Sequence, residues 1–342
     1  MKAVRVHQPG SAENYVYEDA PDPTAGPGEV RVRVKAVALN HLEAWAAKAP
    51  SSVRYNAPRI LGADVAGVVE DVGAGVTSAR AGDEVMLHPG VSCGVCEACL
   101  GGDDNLCAQY RLLGQGRDGG LAELVVVPAA NVMPKPANLS WEEAASIPLV
   151  FTTALHMILT RAHLRFGETV LVNAAGSGVG VAAIQVAKLH GAHVIASAGS
   201  DEKLAKAKGL GADDCINYTS EDLAERARAM TGGRGVDMVV ENVGADIMEK
   251  SIKALARNGR VVTCGATAGN DATFNVTRFF LAQQTIYGSF MGTKATMLRY
   301  LPCFADGRLR GVVDKVLPLE RTSEAVERLI QREQFGKIVL VP

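Results

Sequence analysis

The sequence predicts an α/β fold in which a doubly wound parallel sheet is inserted into a β-barrel domain. Three observations support this. The first third has short strands separated by frequent turns, strands alternate with helices from about residue 141, and β character returns at Lys337–Val341. A chain of 342 residues, 48% hydrophobic and 21% charged, is long enough for two cores and has an ordinary globular composition.

The first third reads as a barrel-like β domain. Val30–Val37 alternates apolar and polar residues, which predicts a half-buried strand, and the proline- and glycine-rich loop Pro21–Gly28 precedes it. Gly62–Val69 and Ala81–Met86 are further turn-and-strand segments. The N-terminal segment Met1–His7 predicts a strand, not a signal peptide, so we expect a cytoplasmic protein.

Four cysteines follow with the spacing C-x2-C-x2-C-x7-C: Cys93, Cys96, Cys99 and Cys107. This spacing predicts a tetrahedral thiolate site for one structural Zn²⁺, because four protein ligands leave no open position for a substrate. Two disulfides would have to fit within the same short segment, so the zinc interpretation is favoured.

The pattern changes to a parallel-sheet rhythm near residue 141. Ser140 is expected to cap a helix beginning at Trp141. The predicted elements that follow are Thr169–Val172, Val179–Leu189, His193–Ala196, Asp201–Gly209, Cys215–Tyr218, Asp237–Val240 and Gly259–Cys264. Alternating strands and helices of this kind predict an open, doubly wound sheet.

A glycine-rich turn, Asn173–Gly180, joins the first of these strands to its helix. Such a turn lets backbone N–H groups approach a pyrophosphate at a helix N-terminus. The literal G-x-G-x-x-G motif is absent, but the strand–turn–helix context is the expected one. The predicted dinucleotide-binding residues here are Gly176, Ser177, Gly178 and Val179.

The end of the second strand predicts which nucleotide binds. Ala198 stands where an NAD site has an acid for the ribose hydroxyls, and Ser200 and Lys203 offer a hydroxyl and an ammonium to a 2′-phosphate. Asp201 and Glu202 are expected in the first turn of the next helix, where the helix dipole favours acids. We therefore predict NADP(H) as the cofactor.

Together these motifs resemble the medium-chain dehydrogenase/reductase superfamily over essentially the whole chain. The cysteine lobe is similar to that of zinc alcohol dehydrogenases. The A-A-G-S-G-V-G turn and Tyr218 look more like the quinone oxidoreductases, in which the tyrosine holds the 2′-phosphate. The resemblance implies a GroES-like catalytic domain at residues 1–151, with the zinc lobe at about 90–110, a Rossmann NADP-binding domain at 152–290, and the rest of the catalytic domain at 291–342.

The resemblance also implies further cofactor contacts and a quaternary state. The implied contacts near the nicotinamide are Thr153, Val243, Gly265, Ala266, Phe290, Met291 and Gly292. A homodimer or homotetramer is expected. Gln283–Gly288 is predicted to be an edge strand that pairs with its counterpart in a second copy.

The chain departs from the zinc alcohol dehydrogenases at the catalytic zinc. The positions of its Cys and His ligands hold Asn40 and Ala63, and Ile147–Thr153 lacks the second cysteine. Asparagine and alanine supply neither thiolate nor imidazole. One alternative stays open, in which a metal is held by His41, Glu43, Asp64 and His156; for Asp64 the simpler interpretation is a buried acid paired with a base.

These observations predict NADPH-dependent reduction of a small-molecule quinone or α,β-unsaturated carbonyl without catalytic zinc. Asn40 would donate to the carbonyl oxygen, and Asp64 and His156 are the other candidate catalytic residues. Two alternatives remain: an alcohol or aldehyde dehydrogenase with substitute metal ligands, and an NADPH-binding sensor or structural protein with little turnover. The aromatic candidates for the acceptor pocket are Trp45, Tyr55, Phe151, Phe279 and Phe280.

Other partner classes are not expected. The net charge is −2 and no lysine or arginine run forms a basic stripe, so we expect no nucleic-acid partner. No apolar run approaches the roughly 18–20 residues needed to span a bilayer.

Overall fold

The structure is a computed structural model and describes residues 1–48 and 57–342; Tyr55, one of the aromatic candidates, lies outside the described residues. The chain divides into two compact units. Unit 1 comprises Met1–Leu149 and Thr293–Pro342, and unit 2 comprises Val150–Gly292. Each unit break lies two residues from a boundary predicted above.

The strands and helices are as follows in chain order. The strands are β1 (Lys2–Val6), β2 (Tyr15–Asp19), β3 (Glu29–Ala38), β4 (Arg59–Ile60), β5 (Asp64–Val72), β6 (Glu84–Leu87), β7 (Gly90–Val91), β8 (Arg111–Leu112), β9 (Leu124–Pro128), β10 (Val132–Pro134), β11 (Thr169–Val172), β12 (His193–Ala198), β13 (Asp214–Asn217), β14 (Val236–Glu241), β15 (Leu255–Thr263), β16 (Thr285–Gly288), β17 (Val313–Pro318) and β18 (Lys337–Val341). The helices are α1 (His41–Lys48), α2 (Glu97–Leu100), α3 (Trp141–Ala145), α4 (Pro148–Leu155), α5 (Gly178–Leu189), α6 (Asp201–Gly209), α7 (Leu223–Met230), α8 (Ala245–Ala254), α9 (Val276–Leu281), α10 (Lys294–Ala305) and α11 (Thr322–Ile330). A π-helical segment, His156–Arg161, follows α4.

The main sheet of unit 1 has the strand order β10-β6-β5-β3-β18-β17, and β9 also pairs with β3. The alternating pattern of β3 explains its place at the centre, because Val30, Val32 and Val34 are all buried on one face. A second sheet, β2-β1-β4, and the short pair β7-β8 complete the β structure described in this unit.

Strand register in unit 1 brings three distant chain segments together. β3 runs antiparallel to β5 with Ala38 opposite Asp64, and antiparallel to β18 with Ala38 opposite Val339. Because β18 runs the other way, Lys337 comes level with the residue two positions beyond Ala38. The C-terminal end of β3 therefore meets the first residues of both β5 and β18.

Unit 2 contains one parallel sheet of six strands in the order β13-β12-β11-β14-β15-β16. Its central strands bury apolar residues on both faces, with Leu171, Ile195 and Val239 on one face and Val170, Val194 and Met238 on the other, which is typical of a sheet covered by helices. The predicted doubly wound α/β fold is confirmed. The predicted edge strand Gln283–Gly288 is confirmed over Thr285–Gly288, since these residues form β16 and β16 ends the sheet.

Sequence signals near a helix end account for the start of α3, whereas the start of α1 was not predicted. Ser140 caps α3 through Glu143 N, and the Glu143 carboxylate accepts from Ser140 N, which completes a capping box. No helix was predicted directly after β3, but His41 begins helix α1.

Within the described residues, no helix is both long enough and apolar enough to cross a membrane.

Candidate active site

The cysteine quartet in unit 1 has the geometry of a zinc site. The four sulfur atoms all lie within 4.8 Å of one another, with Cys96 to Cys99 at 3.5 Å and Cys93 to Cys99 at 3.9 Å. A tetrahedral site with Zn–S bonds of about 2.3 Å requires sulfur atoms about 3.8 Å apart. The donor set therefore fits one structural zinc.

Backbone and side-chain contacts hold this lobe in shape. Cys93 N and Gln109 N donate to Cys107 Sγ at 3.5 and 3.4 Å, which stabilises a thiolate. Hydrogen bonds from the backbone N–H groups of Val95 and Cys96 lower the pKa of Cys93 to about 6. The Lys294 ammonium ties the lobe to α10, donating to Asp104 Oδ2 at 2.8 Å.

The glycine-rich turn of unit 2 has the close packing that a pyrophosphate site requires. Ser177 caps α5 by accepting from Gly180 N at 3.0 Å, and Asn242 Nδ2 donates to the same hydroxyl from the end of β14. A side chain at Gly180 would lie 2.3 Å from Ala174 O, so only glycine allows the helix to start this close to the strand. Of the predicted residues, Gly176 is buried, while Ser177, Gly178 and Val179 are half-buried at the helix start.

Glu241, at the end of β14, organises the neighbouring strand ends and was not singled out from the sequence. Its carboxylate accepts from Val243 N at 2.6 Å, Gly244 N at 2.9 Å and Thr263 Oγ1 at 3.1 Å, and burial raises its pKa. These contacts fix the loops that carry the predicted residues Val243, Gly265 and Ala266. The sequence feature that could have identified Glu241 is an acidic residue at the end of a buried apolar strand.

The predicted 2′-phosphate residues gather around Gly199, just after β12. A side chain at Gly199 would lie 2.9 Å from the Tyr218 hydroxyl, and Ser200 caps α6 by accepting from Lys203 N at 3.3 Å. Ala198 is buried and is the last residue of β12.

Both nearby acids have partners of their own. Asp201 accepts from Asn217 Nδ2 at 2.8 Å, and Glu202 pairs with Lys206 at 2.8 Å. They lie in the first turn of α6, as predicted from the helix dipole.

The loop at residues 290–292 packs on α4 and the π-helical segment. Thr153 Oγ1 donates to Met291 Sδ at 3.8 Å, which brings two predicted cofactor residues together. A side chain at Gly292 would lie 2.6 Å from Thr152 O and 2.8 Å from His156 Cβ. His156 is buried at the start of the π-helical segment, whereas Phe290 is 59% exposed.

Asn40 and Asp64 meet in unit 1, and they do so with a third residue that sequence reasoning missed. The Lys337 ammonium donates to Asn40 Oδ1 at 2.5 Å and to Asp64 Oδ2 at 2.9 Å, and Asn40 Nδ2 donates to Asp64 Oδ2 at 3.0 Å. The Lys337 and Asp64 side chains are 3% and 0% exposed. We call this set the Asn40–Asp64–Lys337 cluster.

The cluster explains how a charged pair survives burial. Asp64 Oδ1 also accepts from Leu149 N at 2.8 Å, so both carboxylate oxygens are bound. Lys337 could not be recognised in the sequence, because it precedes the apolar run of β18 like any strand-flanking lysine.

Glu43 lies beside this cluster, and its carboxylate binds backbone N–H groups near the start of α1. Its carboxylate accepts from Asn40 N at 2.7 Å and from Gly62 N at 3.2 Å. Burial raises the pKa of Glu43 to about 7. His41 turns toward Trp45, one helical turn on, with ring centroids 6.1 Å apart.

Comparison with known proteins places the chain in a family. Residues 26–137 match the family described as "Alcohol dehydrogenase GroES-like domain", and residues 178–306 match "Zinc-binding dehydrogenase". An alcohol dehydrogenase from Geobacillus stearothermophilus is 34% identical over 314 residues, 92% of each chain. A crotonyl-CoA reductase from Streptomyces avermitilis is 30% identical over 365 residues, 95% of this chain and 82% of that one.

A solved structure described as an NAD-dependent alcohol dehydrogenase is 47% identical, covers all of both chains and superposes with a TM-score of 0.95. The fold, the cysteine lobe and these matches define a class of nucleotide-dependent oxidoreductases with a GroES-like domain. The chain belongs to the medium-chain dehydrogenase/reductase superfamily.

The catalytic zinc of the family does not fit the residues present. Asn40 and Ala63 stand at its ligand positions, and the oxygens of Asn40 and Asp64 are bound to the Lys337 ammonium. Among residues 1–48 and 57–342, the cysteine quartet is the group with metal-ligand geometry, and His41, Glu43, Asp64 and His156 do not form a second one.

Proposed function

We propose that this protein transfers a hydride from NADPH to a quinone or an α,β-unsaturated carbonyl compound without a catalytic metal. The Asn40–Asp64–Lys337 cluster carries this proposal. It puts an ammonium ion in contact with Asn40 Oδ1 and Asp64 Oδ2, and Asn40 stands at a position where the zinc alcohol dehydrogenases have a zinc ligand. Deprotonating an unactivated alcohol without a Lewis acid is difficult, whereas an electrophilic acceptor needs only a hydride and a hydrogen-bond donor.

The chain's own residues position and stabilise the acceptor in this proposal. Bound NADPH supplies the hydride. Asn40 Nδ2 donates to the acceptor oxygen as negative charge develops there, and Asp64 holds the amide in place. His156 remains the third candidate catalytic residue. The proton that completes the reduction comes from water or a side chain.

An acceptor screen tests this function. NADPH oxidation would be measured with quinones, enones and enoyl thioesters, and we expect turnover with at least one class. Asn40→Ala should lower kcat by about 100-fold or more, in line with the loss of an oxyanion-hole donor. Asn138→Ala is the control, because that amide bonds Phe304 O elsewhere in the same unit. Equal rates in wild type and Asn40→Ala would refute the assigned role.

Preference for NADPH is a separate part of the proposal. Ala198 leaves room at the strand end, the two adjacent acids have other partners, the Tyr218 hydroxyl lies beside Gly199, and Lys203 lies in the first turn of α6, which Ser200 caps. The relative described as NAD-dependent points to the opposite preference. Titration with both nucleotides decides between them.

Lys203→Met sharpens the nucleotide test. It should weaken NADPH binding about tenfold or more, because a charged hydrogen bond contributes about 1.5–3 kcal/mol, and should leave NADH binding unchanged. Lys208→Met, near the end of the same helix, is the matched control. A wild-type protein that binds NADH more tightly than NADPH would overturn this part.

Two other functions have distinct signatures. An alcohol dehydrogenase with a catalytic metal is favoured by the names of the relatives; it would show two zincs per chain and lose activity to a chelator that spares the fold. An NADPH-binding sensor would bind the nucleotide tightly and turn over none of the acceptors. One zinc per chain with acceptor reduction supports our proposal over both.

We also propose self-association through β16, as a homodimer or homotetramer. This edge strand exposes Ile286, and the adjacent α9 exposes Val276, Phe280 and Leu281. An unpaired strand beside apolar side chains is typical of an interface between copies.

A further inference from the structure

Lys337 makes buried contacts, and the reaction proposed above gives its ammonium no role of its own. Its ammonium has three N–H groups, and two of them donate to Asn40 Oδ1 and Asp64 Oδ2. The first residue of β18 thereby reaches residues at the end of β3 and the start of β5. A cation so enclosed influences the charge distribution of every group it contacts.

The cluster determines which way the Asn40 amide points. An ammonium can only donate and a carboxylate can only accept, so both contacts are hydrogen bonds only when Oδ1 faces Lys337 and Nδ2 faces Asp64. One Nδ2 hydrogen is then directed at Asp64. Among the residues that the structure describes, the contact available to the other is a long one of 3.5 Å with Ala38 O, which leaves it suited to a stronger acceptor.

The ammonium also makes the amide a better donor. A hydrogen bond from a cation to the amide oxygen draws electron density away from Nδ2, and linked hydrogen bonds strengthen one another. The positive charge is in place before the reaction begins, so it stabilises negative charge on an acceptor oxygen without reorganisation. Any metal ion would have to displace the ammonium from both oxygens.

We propose that Lys337 is a positioning residue that orients and polarises Asn40, so that a buried ammonium ion performs the electrostatic task for which the zinc alcohol dehydrogenases use zinc. This inference rests on the proposed acceptor reduction. It makes the C-terminal strand part of the machinery for a carbonyl or quinone acceptor, through Asn40.

Kinetics of the full-length protein with NADPH and the best acceptor of the screen test this role. Lys337→Met should lower kcat about 100-fold, leave the KM for NADPH unchanged, and increase the deuterium isotope effect measured with NADPH labelled at the transferred hydrogen. Lys135→Met is the matched control, because Lys135 is also a largely buried lysine paired with an acid, Glu84, in unit 1.

A double variant separates this role from support of the fold. Lys337→Met leaves Asp64 as an unpaired buried charge, and the additional change Asp64→Asn removes that charge. We expect Lys337→Met/Asp64→Asn to regain stability while kcat stays about 100-fold below wild type. Recovery of kcat together with stability, or an unchanged isotope effect in Lys337→Met, would show that Lys337 only holds the strand and would overturn the inference.

A measurement without turnover keeps this inference separate from the proposed function. Hydrogen exchange of the Asn40 side-chain amide, assigned by its loss in Asn40→Ala, should be slow in wild type and in Lys135→Met and at least tenfold faster in Lys337→Met. Equal exchange rates of the Asn40 amide in wild type and Lys337→Met would refute the positioning role. Absence of acceptor turnover in wild type, with the exchange difference present, would instead count against the proposed function alone.

Discussion

Replacing Lys337 by methionine should destabilise unit 1 severely. The ammonium lies 2.9 Å from Asp64 Oδ2, and both side chains are almost fully buried. Methionine has a similar length but no charge, so the change removes the cation and leaves the anion. The remaining carboxylate keeps hydrogen bonds from Leu149 N at 2.8 Å and Asn40 Nδ2 at 3.0 Å, but has no counter-charge.

The size of the effect follows from that arrangement. Removing one partner of a buried ion pair costs about 3–5 kcal/mol, and the two surviving hydrogen bonds place this case near the lower end, at about 3 kcal/mol.

Urea unfolding monitored by tryptophan fluorescence reports on unit 1, which contains Lys337. The chain has two tryptophans, Trp45 and Trp141, and both belong to unit 1. At a slope of about 3 kcal/mol per molar urea, the expected loss lowers the midpoint by about 1 M. Lys337→Met/Asp64→Asn should recover at least half of this loss, because it removes the uncompensated charge.

A midpoint for Lys337→Met within about 0.2 M of wild type would refute this reasoning, since the pair could then not be a buried, mutually dependent one. A double variant less stable than Lys337→Met would refute it too. In that case the packing of Asp64, and not its charge, would decide the stability.

Three further predictions concern the rest of the molecule. Elemental analysis should find one zinc per chain and none in Cys107→Ser, whereas zinc retained by that variant would contradict the four-thiolate site. Burial raises the pKa of Glu43 from 4.5 to about 7, so its contribution to stability is complete below pH 4.5 and is lost as the pH rises through 7. The stability lost between pH 4.5 and pH 7 amounts to about 3 kcal/mol. The urea midpoint of Glu43→Gln should not fall over this pH range as that of wild type does. A wild-type midpoint that stays constant from pH 4.5 to pH 7 would argue against the raised pKa of Glu43. Ile286→Lys, on the exposed side of β16, should halve the mass found by light scattering, and an unchanged mass would place the interface elsewhere.

Much of the fold followed from local patterns. Period-two valines in β3, buried apolar runs such as β11, and the Ser140 capping box are signals contained within a few residues. The cysteine spacing and the glycine-rich turn are equally local, because a zinc site and a pyrophosphate turn are each built from one short segment. The helical start at His41 was missed, since its N-terminal support comes from Glu43 and not from a capping side chain at Asn40.

The sequence by itself therefore determined the fold class, the zinc lobe, the glycine-rich turn between strand and helix, and the absence of zinc ligands at Asn40 and Ala63. Only the tertiary structure decided what accompanies Asn40. Lys337 is separated from it by 297 positions, and only the pairing of β3 with both β5 and β18 brings the ammonium to the amide and to Asp64. Side chains that meet through strand register leave no spacing in the sequence, because their contact depends on which strands pair and not on how far apart the residues are along the chain.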